Sequence, residues 1–269
     1  MKFDLHTHHE RCGHADGTIE DYIKAGIDAG LQVIGISDHS PYFGSEEDQP
    51  FPKIAMAKSA LQGYIDEVLR LKEKYKGRIE VLLGMESDFF PDYAEIYRDV
   101  YAKQPFDYLI GSVHHVRGIS IFNKKRFKGL NEEEQLNEKR EYYSLIKQSA
   151  LSRMFDILAH IDAMKAYYPA FSDIPAHREI DDTLQTIAEC DIAIEINTSG
   201  KMKDVGGWYP SDEILERACH FGVKVTFGSD AHVPSRVGDE FELVKKRLKE
   251  IGFKDWVYYR NRKRVVVPL

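Results

Sequence analysis

Histidine and carboxylate side chains recur in this chain at positions that could together bind metal ions. His6 and His8 form a His-x-His pair near the amino terminus, and the other candidates are spread along the chain: His14, His39, Glu86, His114, His160, Asp230 and His232. Imidazoles and carboxylates are ligands for zinc, iron and manganese, and a His-x-His pair can hold one ion from a single strand end. The pair alone is a weak signal, but the whole set predicts a metal centre.

Short strand-like runs alternate with helical patterns along the chain. We predict seven strands, at residues 2–6, 32–38, 79–86, 107–114, 155–160, 191–197 and 223–230. Thr18 and Asp21 predict a capping box for a helix that stops near Gly30, and further helices are predicted over residues 61–77 and after Ser211. This alternation predicts βα units around a mainly parallel sheet, an α/β fold.

The candidate ligands fall at or just beyond the ends of the predicted strands. In a β/α barrel the carboxyl ends of parallel strands converge on one face, where active sites draw residues from several strands. Strand alternation puts His114 on the same face as Ser112 and His115 on the other, so we prefer His114 as the inward-facing group. The same argument turns Glu195 and Asn197 inward. We therefore expect residues far apart in sequence to meet at one mouth of a barrel.

Composition favours a single cytoplasmic domain that acts on a small anion. The chain has 269 residues and a formal net charge of −7, which disfavours binding to a polyanion such as duplex DNA. We see no linker, so we expect one domain over residues 1–269. We also see no secretory signal and no apolar run near the ~20 residues that span a bilayer, so we expect no membrane contact. Three cysteines without close pairing suit a reducing compartment. Segment 117–137 is predicted as a loop over the mouth, either a substrate lid or a solvated excursion.

Eight short motifs follow one another over nearly the whole chain. They are His6-Thr7-His8, Cys12-Gly13-His14-Ala15, Ser37-Asp38-His39, Gly84-Met85-Glu86, Gly111-Ser112-Val113-His114, Ala159-His160-Ile161-Asp162, Glu195-Ile196-Asn197-Thr198-Ser199-Gly200 and Gly228-Ser229-Asp230-Ala231-His232. Together they resemble the PHP family, named for its polymerase-associated and histidinol-phosphatase members, and most of all its stand-alone histidinol-phosphate phosphatases. The resemblance implies a distorted seven-stranded (β/α)7 barrel that holds three divalent metal ions.

The resemblance also implies a ligand set for each ion. The first two sets share Glu86 as a bridge, and the three sets are His6, His8, Glu86 and Asp230; Glu86, His114 and His160; and His14, His39 and His232. Asp16 rivals His14 in the third set, because some family members carry an acidic residue before the glycine of that motif. Asp38 and Asp162 lie beside predicted ligands and either orient imidazoles or cap turns. Zinc, manganese and iron all accept these donors, so the identity of the metal stays open.

A site with three divalent ions suits phosphate ester hydrolysis, because side-chain proton transfer contributes only about 10²–10⁴-fold to a reaction that is extremely slow in water. We expect attack on phosphorus by a metal-bridging hydroxide held at Glu86, with Asp230 or His232 as the proton donor to the leaving group. Predicted phosphate contacts beyond the ions are Arg117, Ser199, Lys201, Lys203 and Arg236. The resemblance implies hydrolysis of L-histidinol phosphate to L-histidinol and phosphate, a step of histidine biosynthesis.

Three alternatives stay open at this point. The first keeps the chemistry and changes the substrate to nucleotides or other small phosphomonoesters. The second is hydrolysis of a C–N or C–O bond by a barrel metalloenzyme of the amidohydrolase kind. The third is a catalytically silent metal-binding or scaffold protein. The sequence does not determine the oligomeric state.

Overall fold

A computed structural model describes residues 1–269 and contains seven α-helices. They are α1 (Ile19–Asp28), α2 (Leu61–Lys74), α3 (Ala94–Tyr101), α4 (Glu132–Ser152), α5 (His177–Glu189), α6 (Asp212–His220) and α7 (Phe241–Ile251). The predicted capping box before α1 is confirmed, since the side chains of Thr18 and Asp21 each accept a hydrogen bond from the other's backbone N–H. Helix α6 follows Ser211, also as predicted. No helix combines the length and the apolar character that crossing a lipid bilayer requires.

Twelve short strands alternate with these helices. They are β1 (Phe3–Asp4), β2 (Val33–Ile36), β3 (Glu80–Leu83), β4 (Glu86–Asp88), β5 (Ile110–Ser112), β6 (His115–Val116), β7 (Ile119–Ser120), β8 (Ile157–Leu158), β9 (Ala193–Asn197), β10 (Lys224–Gly228), β11 (Asp255–Arg260) and β12 (Lys263–Pro268). Each predicted strand contains an observed one, and the third is interrupted at Gly84 and Met85 to give β3 and β4. The antiparallel pairs β6–β7 and β11–β12 were not predicted.

The parallel strands form two sheets, ordered β1-β2-β3 and β10-β9-β8-β5-β4. The chain passes from one sheet to the other at Gly84, where a Cβ atom would lie 2.3 Å from the ring of Tyr108. Single parallel bridges join the sheets further along, at Thr7–Ala231 and at His39–Glu86. The predicted α/β class with parallel sheets is therefore confirmed, in the form of two sheets with bridged edges.

A continuous hydrophobic core extends from Phe3 to Val267 and includes the C-terminal hairpin β11–β12. The buried ring of Trp256 in β11 packs against Phe3 and Phe241, with ring centroids 4.9 and 4.6 Å apart. The hairpin turn donates backbone hydrogen bonds to Asp107, which precedes β5. The hairpin thus covers the amino ends of the strands and leaves their carboxyl ends open.

The segment predicted as a loop, 117–137, is more ordered than expected. Strand β7 lies within it, and α4 begins at Glu132, so residues 132–137 are helical. Asn131 and Glu134 form a capping box, and the acidic residues of this first turn are favoured by the helix dipole. The buried Arg126 pairs with Glu138 and donates to carbonyl oxygens of the β6–β7 hairpin, which ties that hairpin to α4.

Candidate metal centre

The nine predicted metal ligands lie together at the carboxyl ends of the strands. They come from just beyond the carboxyl ends of β1, β2, β5, β8 and β10, from the segment between β1 and α1, and from Glu86, the first residue of β4. Histidine rings from different strands approach within 4 to 6 Å, for example His8 and His232 at 4.2 Å and His6 and His160 at 6.0 Å between centroids. Parallel strands bring these residues to one edge of the fold.

The first set surrounds a single point. Nε2 of His6 lies 3.3 Å from Glu86 Oε2, and Nε2 of His8 lies 3.5 Å from the same oxygen. Asp230 Oδ1 is 3.1 Å from His8 Nε2 and 3.8 Å from His6 Nε2. Two ligands of a tetrahedral zinc ion with bonds near 2.0–2.1 Å are about 3.3 Å apart, so this spacing fits one ion.

The second set is built on the other oxygen of Glu86. Oε1 of Glu86 lies 3.1 Å from His160 Nε2 and 3.4 Å from His114 Nε2, and the two nitrogens are 3.3 Å apart. The hydroxyl of Ser112 also donates to this oxygen at 2.6 Å. The carboxylate of Glu86 therefore points one oxygen at each set, which is the geometry of a bridging ligand.

The third set contains imidazoles alone. Nε2 of His14 and Nε2 of His232 are 3.0 Å apart, and the His39 ring lies 5.2 Å from that of His14. His39 Nδ1 is also 2.9 Å from Glu86 Oε2, so this histidine lies between the third set and the first. Asp16 is exposed, and its recorded hydrogen bonds are made by its backbone. The geometry favours His14 over Asp16 at this position.

Several donor atoms at the centre are buried without a hydrogen-bond partner: His6 Nε2, His8 Nε2 and Glu86 Oε2. A buried polar atom without a partner is rare and unfavourable in a native protein. These atoms also fall in groups of three potential ligand atoms that lie within 4.8 Å of one another. The donor set and its unpartnered atoms therefore fit divalent cations.

Three of the histidines are oriented from behind by carboxylates. His6 Nδ1 lies 2.6 Å from Glu195 Oε1, and His8 Nδ1 and His114 Nδ1 each lie 3.1 Å from a carboxylate oxygen, of Asp38 and Asp88 respectively. Such contacts fix the tautomer and raise the basicity of a metal-binding imidazole. The contact with His8 supports an orienting role for Asp38, whose same oxygen also accepts from the backbone N–H of His39.

Sequence reasoning missed two of these orienting carboxylates, Asp88 and Glu195, and left Asp162 open between orienting an imidazole and capping a turn. Asp88 stands two residues after Glu86, so strand alternation could have identified it, and Glu195 was predicted to face inward without a contact being assigned. Asp162 orients no imidazole and instead pairs with Lys165 at 2.7 Å and accepts from the backbone N–H of Ser211.

Backbone geometry at two of the predicted ligands is unusual. His160 and Asp230 adopt positive φ, +29° and +52°, a region that residues other than glycine occupy at a cost of about 1–3 kcal/mol. The second carboxylate oxygen of Asp230 accepts from the Ser199 hydroxyl at 2.9 Å and from the Asn197 amide at 3.2 Å. Such strain is typical of functional sites, and these bonds hold the other oxygen of Asp230 towards His8.

The charges at the centre are strongly coupled. Burial opposes ionisation of Glu86, but His39 and His6 hold its pKa well below the usual range. Asp230 behaves in the same way because His6 and His8 lie beside it, so its pKa is also far below its usual value. Burial lowers the pKa of His232 to about 3. Neither Asp230 nor His232 then carries a proton near neutral pH, which disfavours either as the donor to a leaving group.

The predicted substrate contacts divide between two cavities and the surface. A cavity of about 420 Å³, here called the phosphate cavity, contains metal-ligand candidates together with Ser199, Lys203 and Arg236. Arg117 lines a second cavity and pairs with Glu138 and Glu141. Lys201 lines neither and forms an ion pair with Glu240 at 2.8 Å. The phosphate cavity therefore offers two cationic side chains, Lys203 and Arg236, beside the candidate ligands.

Comparison with known proteins identifies relatives over the whole chain. The model of the PHP domain family matches residues 4–199. A probable histidinol-phosphatase of Deinococcus radiodurans is 33% identical over 266 residues, which cover 97% of this chain and 97% of that protein. The histidinol-phosphatase of Bacillus subtilis is 29% identical over 269 residues, which cover 92% of this chain and 99% of the relative.

Solved structures of similar fold cover the chain almost completely. The crystal structure of histidinol phosphate phosphatase from Lactococcus lactis, complexed with zinc, L-histidinol and phosphate, superposes with a TM-score of 0.81 over 98% of both chains at 19% identity. A putative histidinol phosphatase from Listeria monocytogenes gives 0.80 at 22% identity, over 90% of this chain and 99% of that one. At such identities the likeness establishes the fold alone.

Proposed function

The chain belongs to the PHP domain family, and from that premise we propose that it is a metal-dependent phosphatase that hydrolyses L-histidinol phosphate to L-histidinol and phosphate. The proposal is carried by the convergence of nine imidazole and carboxylate side chains, among which the buried, unpartnered Nε2 atoms of His6 and His8 lie 3.3 and 3.5 Å from the unpartnered Oε2 of Glu86. The relatives named for this activity, which align over nearly the whole chain, support the choice of substrate.

We propose three divalent ions, with zinc as the resident metal. The ligand sets are those described above, with Glu86 bridging the first two and His14 completing the third. Zinc is supported by the mixture of imidazole and carboxylate donors and by the zinc bound in the Lactococcus lactis structure. When bound, such ions supply Lewis-acid chemistry that neutralises phosphoryl oxygens and makes water acidic enough to act as a nucleophile near neutral pH.

The chain's own residues hold and orient the reactants around that centre. Lys203 and Arg236 line the phosphate cavity, and we propose that their charges bind the phosphoryl group beside the ions. Arg236 is itself held by Asp239 at 2.8 Å, which limits its motion. Ser199 acts indirectly, because its hydroxyl bonds Asp230. Glu86, Asp230 and His232 then serve catalysis as ligands.

We propose that the two parallel sheets close into one distorted seven-stranded barrel over a single domain of residues 1–269. The backbone N–H of Leu5 donates to the carbonyl of Phe227 at 3.2 Å along one edge, and that of Ser40 donates to the carbonyl of Glu86 at 2.8 Å along the other. The continuous hydrophobic core supports one folding unit. Three free cysteines support a reducing, cytoplasmic location for an enzyme acting on a small molecule.

A panel of phosphomonoesters tests this function. We expect kcat/KM for L-histidinol phosphate to exceed that for any nucleotide by at least about tenfold, since binding groups specific to one alcohol discriminate at this level. Activity should disappear when a chelator removes the metals and return when zinc is restored. A higher kcat/KM for a nucleotide would show that the substrate is a nucleotide and not L-histidinol phosphate. Activity that survives complete metal removal would contradict the mechanism.

A further inference from the structure

A small cavity lies at the amino ends of the strands, away from the metal centre. Its volume is about 280 Å³, and it shares no lining residue with the phosphate cavity. We call it the basal cavity and define it by its charged lining residues, Arg153, Asp156, Asp191, Arg262 and Arg264. The two aspartates stand just before β8 and β9, and Arg262 and Arg264 belong to the hairpin β11–β12. The basal cavity is therefore a separate site from the proposed catalytic centre.

Three lining residues of the basal cavity have positive φ although none of them is a glycine. The angles are +53° at Arg153, +58° at Asp191 and +60° at Arg262. Eight residues other than glycine have positive φ in the whole chain, and two of the remaining five are the predicted ligands His160 and Asp230. Such backbone strain is typical of functional sites. Five of the eight strained residues therefore lie at the metal centre or at the basal cavity.

Arg153 occupies a position that favours glycine, and its side chain contacts no charged partner. It ends α4 in the left-handed conformation, where glycine or asparagine is usual, and its backbone N–H donates to the carbonyl of Ala150. The guanidinium is exposed and forms neither an ion pair nor a hydrogen bond within the chain. No contact within the fold therefore accounts for this arginine, and its five N–H donors are free to bind a ligand.

Arg262 and Arg264 are each held in place by a carboxylate. Arg262 Nε lies 2.6 Å from Asp156 Oδ2, and its Nη2 donates to the carbonyl of Met154 at 2.8 Å, which leaves its Nη1 without a hydrogen bond. Arg264 Nη1 lies 2.5 Å from Asp191 Oδ1. The lining thus contains three guanidinium groups and two carboxylates, so one positive charge, that of Arg153, has no counterion.

A buried hydroxyl also lies in the wall of the basal cavity. Tyr259 of β11 is 4% exposed, and its hydroxyl has no hydrogen-bond partner. Burial raises the pKa of Tyr259, so the hydroxyl keeps its proton at neutral pH and is able to donate it to an acceptor. A buried polar atom without a partner is rare in a native protein. The wall therefore contains an unused hydrogen-bond donor in addition to the free guanidinium of Arg153.

We propose that the basal cavity is a second ligand site, which binds a small oxyanion, a phosphate or a carboxylate group, with Arg153 as its principal contact. Both groups accept two parallel hydrogen bonds from the planar fork of an arginine. The volume lies just below the range of about 300–1,000 Å³ that is typical of drug-sized ligands, so it suits an inorganic ion or a small organic acid. This site contains no metal-ligand candidate and does not depend on the proposed function.

Calorimetric titration of the zinc-loaded protein with inorganic phosphate, and separately with succinate, tests this site. We expect Arg153→Gly to weaken one class of anion binding about fivefold, the upper range for a solvent-accessible ion pair. Glycine adopts positive φ without strain, so this variant should not lower the melting temperature. The control is Arg70→Ala, which removes the same charge from an exposed arginine of α2 outside the cavity and should change binding by less than about twofold.

The two anions distinguish the possible ligands of the basal cavity. A class of phosphate binding that Arg153→Gly weakens would identify a phosphate-bearing ligand, and the same result with succinate would identify a carboxylate. Titration curves of Arg153→Gly that match those of the unchanged protein for both anions would overturn the proposal. Neither result depends on whether L-histidinol phosphate is the substrate, because turnover is not measured.

Discussion

The proposed metal centre has two regions that differ in burial and in the groups behind their candidate ligands. The bridged pair, formed by His6, His8, Glu86, His114, His160 and Asp230, is the more buried region: the side chains of His6 and His8 are completely buried, and those of His114 and Asp230 are 12% and 13% exposed. The third site, formed by His14, His39 and His232, is more open, and the side chain of His232 is 32% exposed. Carboxylates orient three histidines of the bridged pair, whereas the Nδ1 atoms of His14 and His232 contact backbone carbonyl oxygens.

Because of this difference, we expect ions in the two regions to be bound with different affinities. Carboxylates in and behind the bridged pair offset the charge of two cations in a low-dielectric interior, where that compensation is strongest. The third site offers neutral imidazoles at the edge of the phosphate cavity, where partial desolvation and the neighbouring His39 and His8 lower the pKa of His14 to about 4. We therefore expect tightly held ions in the bridged pair and a more weakly held, exchangeable ion in the third site.

Replacing Glu86, the ligand shared by the first two sets, should remove both ions of the bridged pair. The difference between the two regions should then disappear. Glu86→Gln takes one negative charge from two ions at once, and we expect kcat/KM to fall more than about 1,000-fold because each ion contributes several kcal/mol of transition-state stabilisation. Elemental analysis should show at least two ions lost per chain.

The control for this variant is Glu95→Gln, an exposed carboxylate on α3 that should retain all activity. Circular dichroism and the melting temperature verify that the Glu86→Gln protein is folded. Near-normal metal content in folded Glu86→Gln would remove the bridging role from Glu86.

A change in the third site should affect one ion only. We expect His14→Ala to lose that ion, keep the bridged pair, and reduce kcat/KM by about 100-fold. Asp16→Ala should stay within about twofold of the unchanged protein, because the Asp16 side chain lies outside the ligand set. Excess zinc should restore part of the activity of His14→Ala and none of that of Glu86→Gln. Loss of the ion in Asp16→Ala together with its retention in His14→Ala would show that Asp16, and not His14, is the ligand of the third site.

A substitution of Glu195, which contacts the ligand candidate His6, should have a smaller effect on activity than the substitutions of ligands. Glu195→Gln keeps the shape of the side chain and removes the charge 2.6 Å from His6 Nδ1. Loss of such a contact reduces metal affinity by about 10–100-fold, so zinc should leave the bridged pair at a lower chelator concentration. The third site should be unaffected, and equal chelator sensitivity before and after the change would show that Glu195 does not tune the pair.

The convergence of the candidate ligands could be predicted because it depends on local rules. Strand periodicity located seven strands, and polar residues at strand ends have to meet when the strands run parallel. The preference for His114 over His115 followed from alternation, and the structure directs His114 at Glu86 while His115 begins the β6–β7 hairpin. The resemblance to a family added the grouping of the ligands, which spacing alone does not contain.

Other features depend on tertiary contacts that leave little local signal. The contact between His6 and Glu195 joins residues 189 positions apart, so the sequence indicates an inward-facing acid without naming its partner. The cavity lined by Arg117 also includes residues of the irregular segment 41–57, which has no strand or helix periodicity in its sequence. The β11–β12 hairpin turns at Asn261 and Arg262, both at positive φ. Glycine is typical of the second position of such a turn, so an arginine there gives no sequence signal for the hairpin.

Anomalous diffraction from crystals of the zinc-loaded protein would locate each bound ion relative to Glu86. We expect three anomalous peaks near the zinc edge. Two should lie about 3.5–4 Å apart on either side of the Glu86 carboxylate, and the third should lie among His14, His39 and His232. A single peak, or peaks away from Glu86, in a preparation that hydrolyses L-histidinol phosphate at full rate would contradict this expectation.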